Sequence, residues 1–526
     1  MDTLTSLINL LDDGDLDSFS LFLRKRNTRA DVKNIQMLDL LKTDDIKSVK
    51  KRFYTGDNTD AYHALRKRLQ DNLLLFLSQR TFERTNNETY DALRLLVVSR
   101  FLLENERWKI ARRCLRKAED IARRLEQFNL MHEVLLLRLQ FAHLHEDEDL
   151  DELTQEFLRN QEAMQREAKL NLAYAYLRRE LQNVHVKGKV IDLAALIGQT
   201  IRTHRIAWRE LMTYKTLYQI LFIANEYAAI QQNYQLIASY VNKSYQFMER
   251  QIPTKSYHVF YELHIHYYLA NFHLRSKAFA TSAVHLAHML RLMEDHPRYR
   301  TVFYLRHQLL LALNRHFSGE GQQAVWILKG ALAAATRKSK TEDLDDVTLC
   351  LVMCLAQQGD AVCLRYLATF GHSDAWYEKK MGMLWTIRKT LMEVLIYTQF
   401  EDIDLAMSRL RTFKRRYKRY LRQTKEQRVL DFVSLIERFL MKPDVVHDRT
   451  FQERVLGMLT VVENTDIFNL SFIGWLISRW EKKTPYEVAL RLMRHAHGPQ
   501  EHTGEERPLS GGQSDKRTKR TSHLTK

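Results

Sequence analysis

Wound at 3.6 residues per turn, the stretch from Glu104 to Glu126 gathers Trp108, Ala111, Leu115, Ala118, Ala122 and Leu125 into one stripe of roughly 100°, the width of a core-facing helix side. Lys109, Arg112, Arg113, Arg116, Lys117, Arg123 and Arg124 take the opposite side. Large and small side chains alternate within the stripe. A small residue lets a neighbouring helix come close, and a large one fills the space beside it. Upstream, at the spacing of a helical hairpin, Leu95, Val98, Ser99 and Leu102 form a second stripe with Ser99 as the small residue at the crossing. The pattern predicts two antiparallel helices whose basic residues face water.

The same arrangement recurs along the chain. Leu311 and Ala312 precede the turn SGEG, after which Ala324, Leu328 and Ala331 repeat the small, large, small spacing. Leu391, Val394 and Leu395 precede FEDID, followed by Ala406, Leu410 and Phe413. Weaker copies lie around Tyr234, Ile237 and Val241, and around Phe279 and Ala283. On these residues, 92–125 resembles a tetratricopeptide (TPR) repeat, and the resemblance covers about residues 86–440. It departs from the family pattern in two places: no proline closes the repeat after residue 125, and Ser99 or Ala312 stands where the first helix carries glycine. The resemblance implies an all-α, right-handed α-solenoid of antiparallel hairpins, acting as a scaffold or adaptor that binds a protein or peptide in a concave groove. First helices line such grooves, which makes Ser99, Arg100, Glu104, Arg315 and Tyr397 the candidate lining positions.

Outside the repeats, residues 1–85 read as short charged helices (LTSLINLL, LDSFSLFLRKR, KNIQMLDLL, DIKSVKKRFY) and one long helix from about Asp60 to Arg84. They are expected to cap the solenoid, or to form a small module of their own. Residues 441–496 are read as C-terminal capping helices, the last opened by Thr484, Pro485 and Glu487, a capping box with proline at the first helical position. Residues 497–526 contain almost no aliphatic side chains and are expected to be a disordered basic tail.

Composition agrees with an all-α chain. Its 16 Gly and 6 Pro in 526 residues are too few for the turns of a many-stranded sheet. Four cysteines do not make a disulfide framework, the opening MDTLTSLINLLDDGD lacks the basic region of a secretory signal, and no apolar stretch approaches a membrane span. A cytoplasmic protein without a membrane segment is expected.

Lys and Arg exceed Asp and Glu by 81 to 64, a formal charge of +17, which favours an acidic partner. The densest basic run, residues 409–428, holds ten cations against Glu426. Arg415, Arg416, Lys418, Arg419 and Arg422 are its candidate polyanion-binding residues, and nucleic acid is the alternative partner. Phe413 and Tyr417 step at helical spacing with Ala406, Leu410 and Leu421, so they are read as core rather than as stacking platforms.

Seven histidines lie between His258 and His296. His264 and His266, two residues apart on a helix, cannot share an ion, whereas His285 and His288 could; ordinary surface and interhelix histidines are expected. Cys350, Cys354 and Cys363 are read as small buried residues at helix crossings. No phosphate-binding loop, H-E-x-x-H or G-x-S-x-G is present, and the His447–Asp448 pair and the acidic run 145–152 do not make a catalytic site. No enzyme activity, cofactor or metal is expected.

Overall fold

The computed structural model describes residues 3–8, 11, 13–26, 33–43, 59–84, 88–144, 149–187, 192–206, 213–231, 233–250, 258–336, 339–424, 426–459 and 466–495. Every regular element among them is helical, and no strand is present among the described residues. The segment DIKSVKKRFY, residues 145–148 of the acidic run and the C-terminal tail fall outside the described residues.

Four N-terminal helices, α1 (Thr3–Ile8), α2 (Asp13–Arg26), α3 (Lys33–Thr43) and α4 (Thr59–Arg84), enclose a core of their own around Phe19, Leu23, Leu38, Leu69 and Leu73. Gly14 sits inside the first turn of α2. Hairpins then follow one another. They begin with α5 (Glu88–Glu104) and α6 (Trp108–Arg124), then α7 (Phe128–Gln140) and the 38-residue α8 (Leu150–Lys187). Next come α9 (Leu193–Thr203), α10 (Tyr214–Gln231), α11 (Ala238–Arg250), α12 (Val259–Arg275) and α13 (Phe279–Asp295). The series continues through α14 (Arg300–Phe317), α15 (Gly321–Ala333), α16 (Thr341–Gln357), α17 (Val362–Leu367), α18 (Asp374–Lys380), α19 (Met383–Gln399) and α20 (Ile403–Gln423). The last helices are α21 (Gln427–Met441), α22 (Arg449–Gly457), α23 (Ile467–Glu481) and α24 (Pro485–His495).

One turn geometry closes most hairpins. After α5, Arg107 N–H donates to Leu102 O at 2.8 Å and Glu106 N–H to Leu103 O at 3.1 Å, with Glu106 at φ 59. The same two bonds around one left-handed residue recur at Glu126, Lys277, Gly319, Gly359 and Glu401, so orphan carbonyls at each helix end are satisfied in the same way. Two-residue turns of this kind make consecutive helices antiparallel neighbours.

At the crossings the small residues are buried as the pattern requires: Ala111, Ala118, Ala312, Ala324, Ala331 and Ala406 are almost wholly inaccessible. Two details differ. In α5 the buried positions are Ala92, Leu96, Ser99 and Leu103, while Val98 is exposed, because the helix presents the neighbouring stripe to α6. In α13 the small contact residue is Ser282, whose hydroxyl donates to Ala270 O at 2.9 Å, rather than Ala283. Side chains also stitch successive hairpins: Asn314 donates to Phe279 O at 2.8 Å.

The result is an array of antiparallel helical hairpins. Its first helices α10, α12, α14, α16 and α19 touch one another in series, forming an inner row. The α23–α24 hairpin folds back against this row. Tyr486 on α24 donates to His316 O on α14 at 2.8 Å, and its ring lies where a Cβ on Gly321 would collide, at 2.8 Å. That close approach needs glycine at the start of α15.

Candidate functional site

Because α16 is bounded by neighbours on several sides, it is apolar nearly all round: Val347 and every residue from Leu349 to Gln357 are buried. Helices with more than one buried face let the inner row wrap a space instead of a flat surface. Between this row and α23 lies a cavity of about 410 Å³. Residues at helical spacing on each element reach it: Tyr267, Asn271 and Arg275 from α12; Asp346, Cys350, Met353 and Gln357 from α16; Trp385, Arg388, Met392 and Gln399 from α19; Phe468, Ser471, Phe472 and Trp475 from α23.

The polar groups in this wall are mostly committed. Trp385 N–H donates to Asp346 Oδ1 at 2.7 Å, Trp475 N–H donates to Gln399 Oε1 at 2.9 Å, and Gln399 in turn donates to Ala356 O at 2.7 Å. Burial pushes the Asp346 carboxyl up to about 7, against the lowering effect of the Trp385 hydrogen bond. Arg275 pairs with Asp466 at 2.6 Å, both side chains being almost fully buried, and its guanidinium lies 4.4 Å over the Phe468 ring. Burial and then the neighbouring Arg275 hold Arg388 below the ordinary arginine value. The cavity is therefore aromatic and apolar with a few fixed polar groups, the composition of a binding site.

The cysteines do not turn it into a nucleophilic site. Cys350 touches the cavity, but Cys354, whose thiol is lowered by a hydrogen bond with Cys350 against its burial and further by His316, is fully buried one turn away. Cys363 is buried too, matching the crossing role expected of all three.

The histidines assemble differently from their order in sequence. His266 on α12 meets His285 on α13, Nδ1 to Nδ1 at 3.0 Å, and His288 stacks on His266. His285 Nε2 and His273 Nε2 both reach the Tyr245 hydroxyl, at 2.7 and 2.6 Å. His264 packs elsewhere, against Tyr218 and Phe303. Among the described residues no group of three His, Cys, Asp or Glu side chains could hold a metal ion. Asp448 caps α22, accepting from Thr450 N–H at 3.0 Å.

Of the candidate groove residues, Ser99 is buried in the α5–α6 crossing with its hydroxyl on Leu95 O, so it offers nothing to a partner. Arg100 is exposed and paired with Glu133, Glu104 is exposed, and Arg315 pairs with Glu320 at 3.0 Å beside the turn. Tyr397 is half-buried between two core clusters. None of these five lines the cavity. On α20, Phe413 and Tyr417 are core, and Arg415, Arg416, Lys418, Arg419 and Arg422 are exposed. Arg416 makes a two-pronged pair with Glu378, at 2.5 and 2.7 Å.

No protein-family model matches the sequence, and no curated protein is similar to it. Among solved structures, that of a Rap protein complexed with competence and sporulation factor is similar, with a TM-score of 0.44 and 12% identity over 78% of this chain and 97% of that one. Among the described residues no helix is long and apolar enough to cross a membrane.

Proposed function

We propose that this chain is a non-enzymatic, cytoplasmic scaffold that takes a segment of another protein into the space between its inner helices and α23. The observation that carries the reading is the 410 Å³ cavity, walled by aromatic residues from several successive hairpins and supplied with few polar groups. Free thiols at Cys114, Cys350, Cys354 and Cys363 suit a reducing compartment. A photo-reactive amino acid placed at Met392, in the cavity wall, is expected to give a protein adduct in cells of origin. The same group at Trp326, which is 75% exposed, serves as the surface control. Adducts only at position 326, or adducts at 392 that an untagged Met392→Trp chain competes away as well as the untagged parent does, would count against the groove.

A second reading rests on α20, where Arg415, Lys418, Arg419 and Arg422 follow one another at helical spacing, exposed and without an ion pair among the described residues. Such a row can track phosphates. Binding to mixed RNA or DNA that weakens steeply with salt, and loses part of that slope when these four are neutralised, is what a nucleic-acid surface would give. No binding at low salt removes it.

A further inference from the structure

Arg388 stands apart from the other charges around the cavity. Arg275 has Asp466, and Asp346 has the Trp385 indole. Arg388, half-buried, makes neither a hydrogen bond nor an ion pair with any described residue; its guanidinium carbon lies 5.9 Å from the Phe468 ring, and Asp466 and Glu426 attract it through space without bonding to it. It faces the large cavity on one side and a small one of about 80 Å³ on the other, where Glu426 forms part of the wall without bonding to it. Burial and Arg275 disfavour this guanidinium more than Asp466 and Glu426 favour it at a distance, and an anion bonded directly to it would reverse that balance.

We infer that the cavity receives a carboxylate attached to an apolar or aromatic body, and that Arg388 is the residue that binds it. This rests on the groove reading above and names the chemistry of what enters. A single carboxylate matches the planar fork of arginine, and the rings of Trp385, Phe468, Phe472 and Trp475 would enclose the body it is attached to. A dianion such as phosphate is disfavoured, since Asp346 and Glu226 also border the space. The carboxylate can belong to an acidic side chain or to a chain terminus, and the test separates the two.

The experiment uses the full chain and follows its tryptophan fluorescence and binding heat. The probes are N-acetylphenylalanine, with a terminal carboxylate, and N-acetylphenylalanylglutamic acid α-amide, with a side-chain carboxylate, each beside the same molecule with that carboxylate converted to a carboxamide. At least one acid is expected to saturate at millimolar concentration, with its amide about 10-fold weaker or more. Arg388→Gln is expected to bring acid and amide together. The acid that binds identifies the source. Because burial and Arg275 outweigh the attraction of Asp466 and Glu426, Arg388→Gln should melt at or above the parent temperature. No binding of either acid, equal binding of acid and amide, a preference that survives Arg388→Gln, or a clear drop in its melting temperature, revealing a partner such as Glu426 within the fold, would each overturn the assignment. A protein adduct at position 392 without any acid preference defeats this inference alone. Acid preference without an adduct defeats the groove reading and leaves a small-molecule site.

Discussion

Arg275 and Asp466, 191 residues apart in the chain, meet at 2.6 Å with both side chains almost fully buried. Their pair joins the end of α12 to the first turn of α23, and Asp466 also caps α23 by accepting from Phe468 N–H at 2.9 Å. Removing one partner leaves a buried charge without compensation, so Arg275→Met and Asp466→Asn should each cost about 3–5 kcal/mol. Asparagine retains the cap, which isolates the charge. In a double-mutant cycle read by urea unfolding, the combined variant should lose clearly less than the sum. Additive losses would mean that the pair does not hold α23 in place.

The histidine chain predicts a pH dependence. Tyr245, His273, His285 and His266 are all satisfied with every imidazole neutral when the hydrogens run in one direction along the chain. Burial, then the neighbouring histidines, lowers His285 from 6.5 to about 4 and His266 from 6.5 to about 3. The fold therefore prefers the neutral rings. This contribution is complete above pH 6.5 and is lost as pH falls from 6.5 towards 4 and then 3, while the unfolded chain takes up protons that the folded one refuses. For His285 the loss is on the order of 3 kcal/mol. Melting temperatures between pH 8 and pH 5 should fall on the acid side, and His285→Gln should flatten that fall; an unchanged profile in the variant would place the titration elsewhere.

The small residues at the crossings make a third case. Ala111 and Ala324 are fully buried between helices, whereas Arg113 is exposed on the same helix as Ala111. Leucine at either alanine should overpack the crossing and cost about 1–3 kcal/mol, and leucine at Arg113 should change stability by less than about 0.5 kcal/mol. Thermal unfolding of the three variants distinguishes them, and equal shifts would undo the assigned faces.

These alanines show what could be read without coordinates. The small, large, small stripes of α6 and α15 and the Ala406, Leu410, Phe413 stripe of α20 are local patterns, and their burial follows directly. The cavity is not local. Its wall takes one face from each of several helices, and the residue facing Arg388 is Phe468, eighty positions further on. One signal was available: α16 reads LCLVMCLA, too apolar all round for a helix with one wet face. Arg315 and Tyr397 lie on the first helices α14 and α19 but not on the face that lines the cavity, which takes Leu313, Ile396 and Gln399 beside them. The turns were hidden for a different reason. Glu106, Glu126, Lys277 and Glu401 occupy left-handed positions where glycine would have announced a helix end.

Those turns supply the last prediction. A side chain at φ 59 costs Glu106 backbone strain that glycine would not carry, and Glu106 is exposed. Glu106→Gly should relieve the strain, offset in part by the greater freedom of glycine in the unfolded chain, for a net gain of up to about 1 kcal/mol. Gly319 gives the reciprocal test. It adopts φ 104 with open space around a would-be Cβ, so Gly319→Ala meets no neighbour and loses about 1–2 kcal/mol through the backbone alone. Urea unfolding of both variants should move in opposite directions. Movement of both in the same direction would show that the α5–α6 and α14–α15 turns are not built on the same left-handed residue.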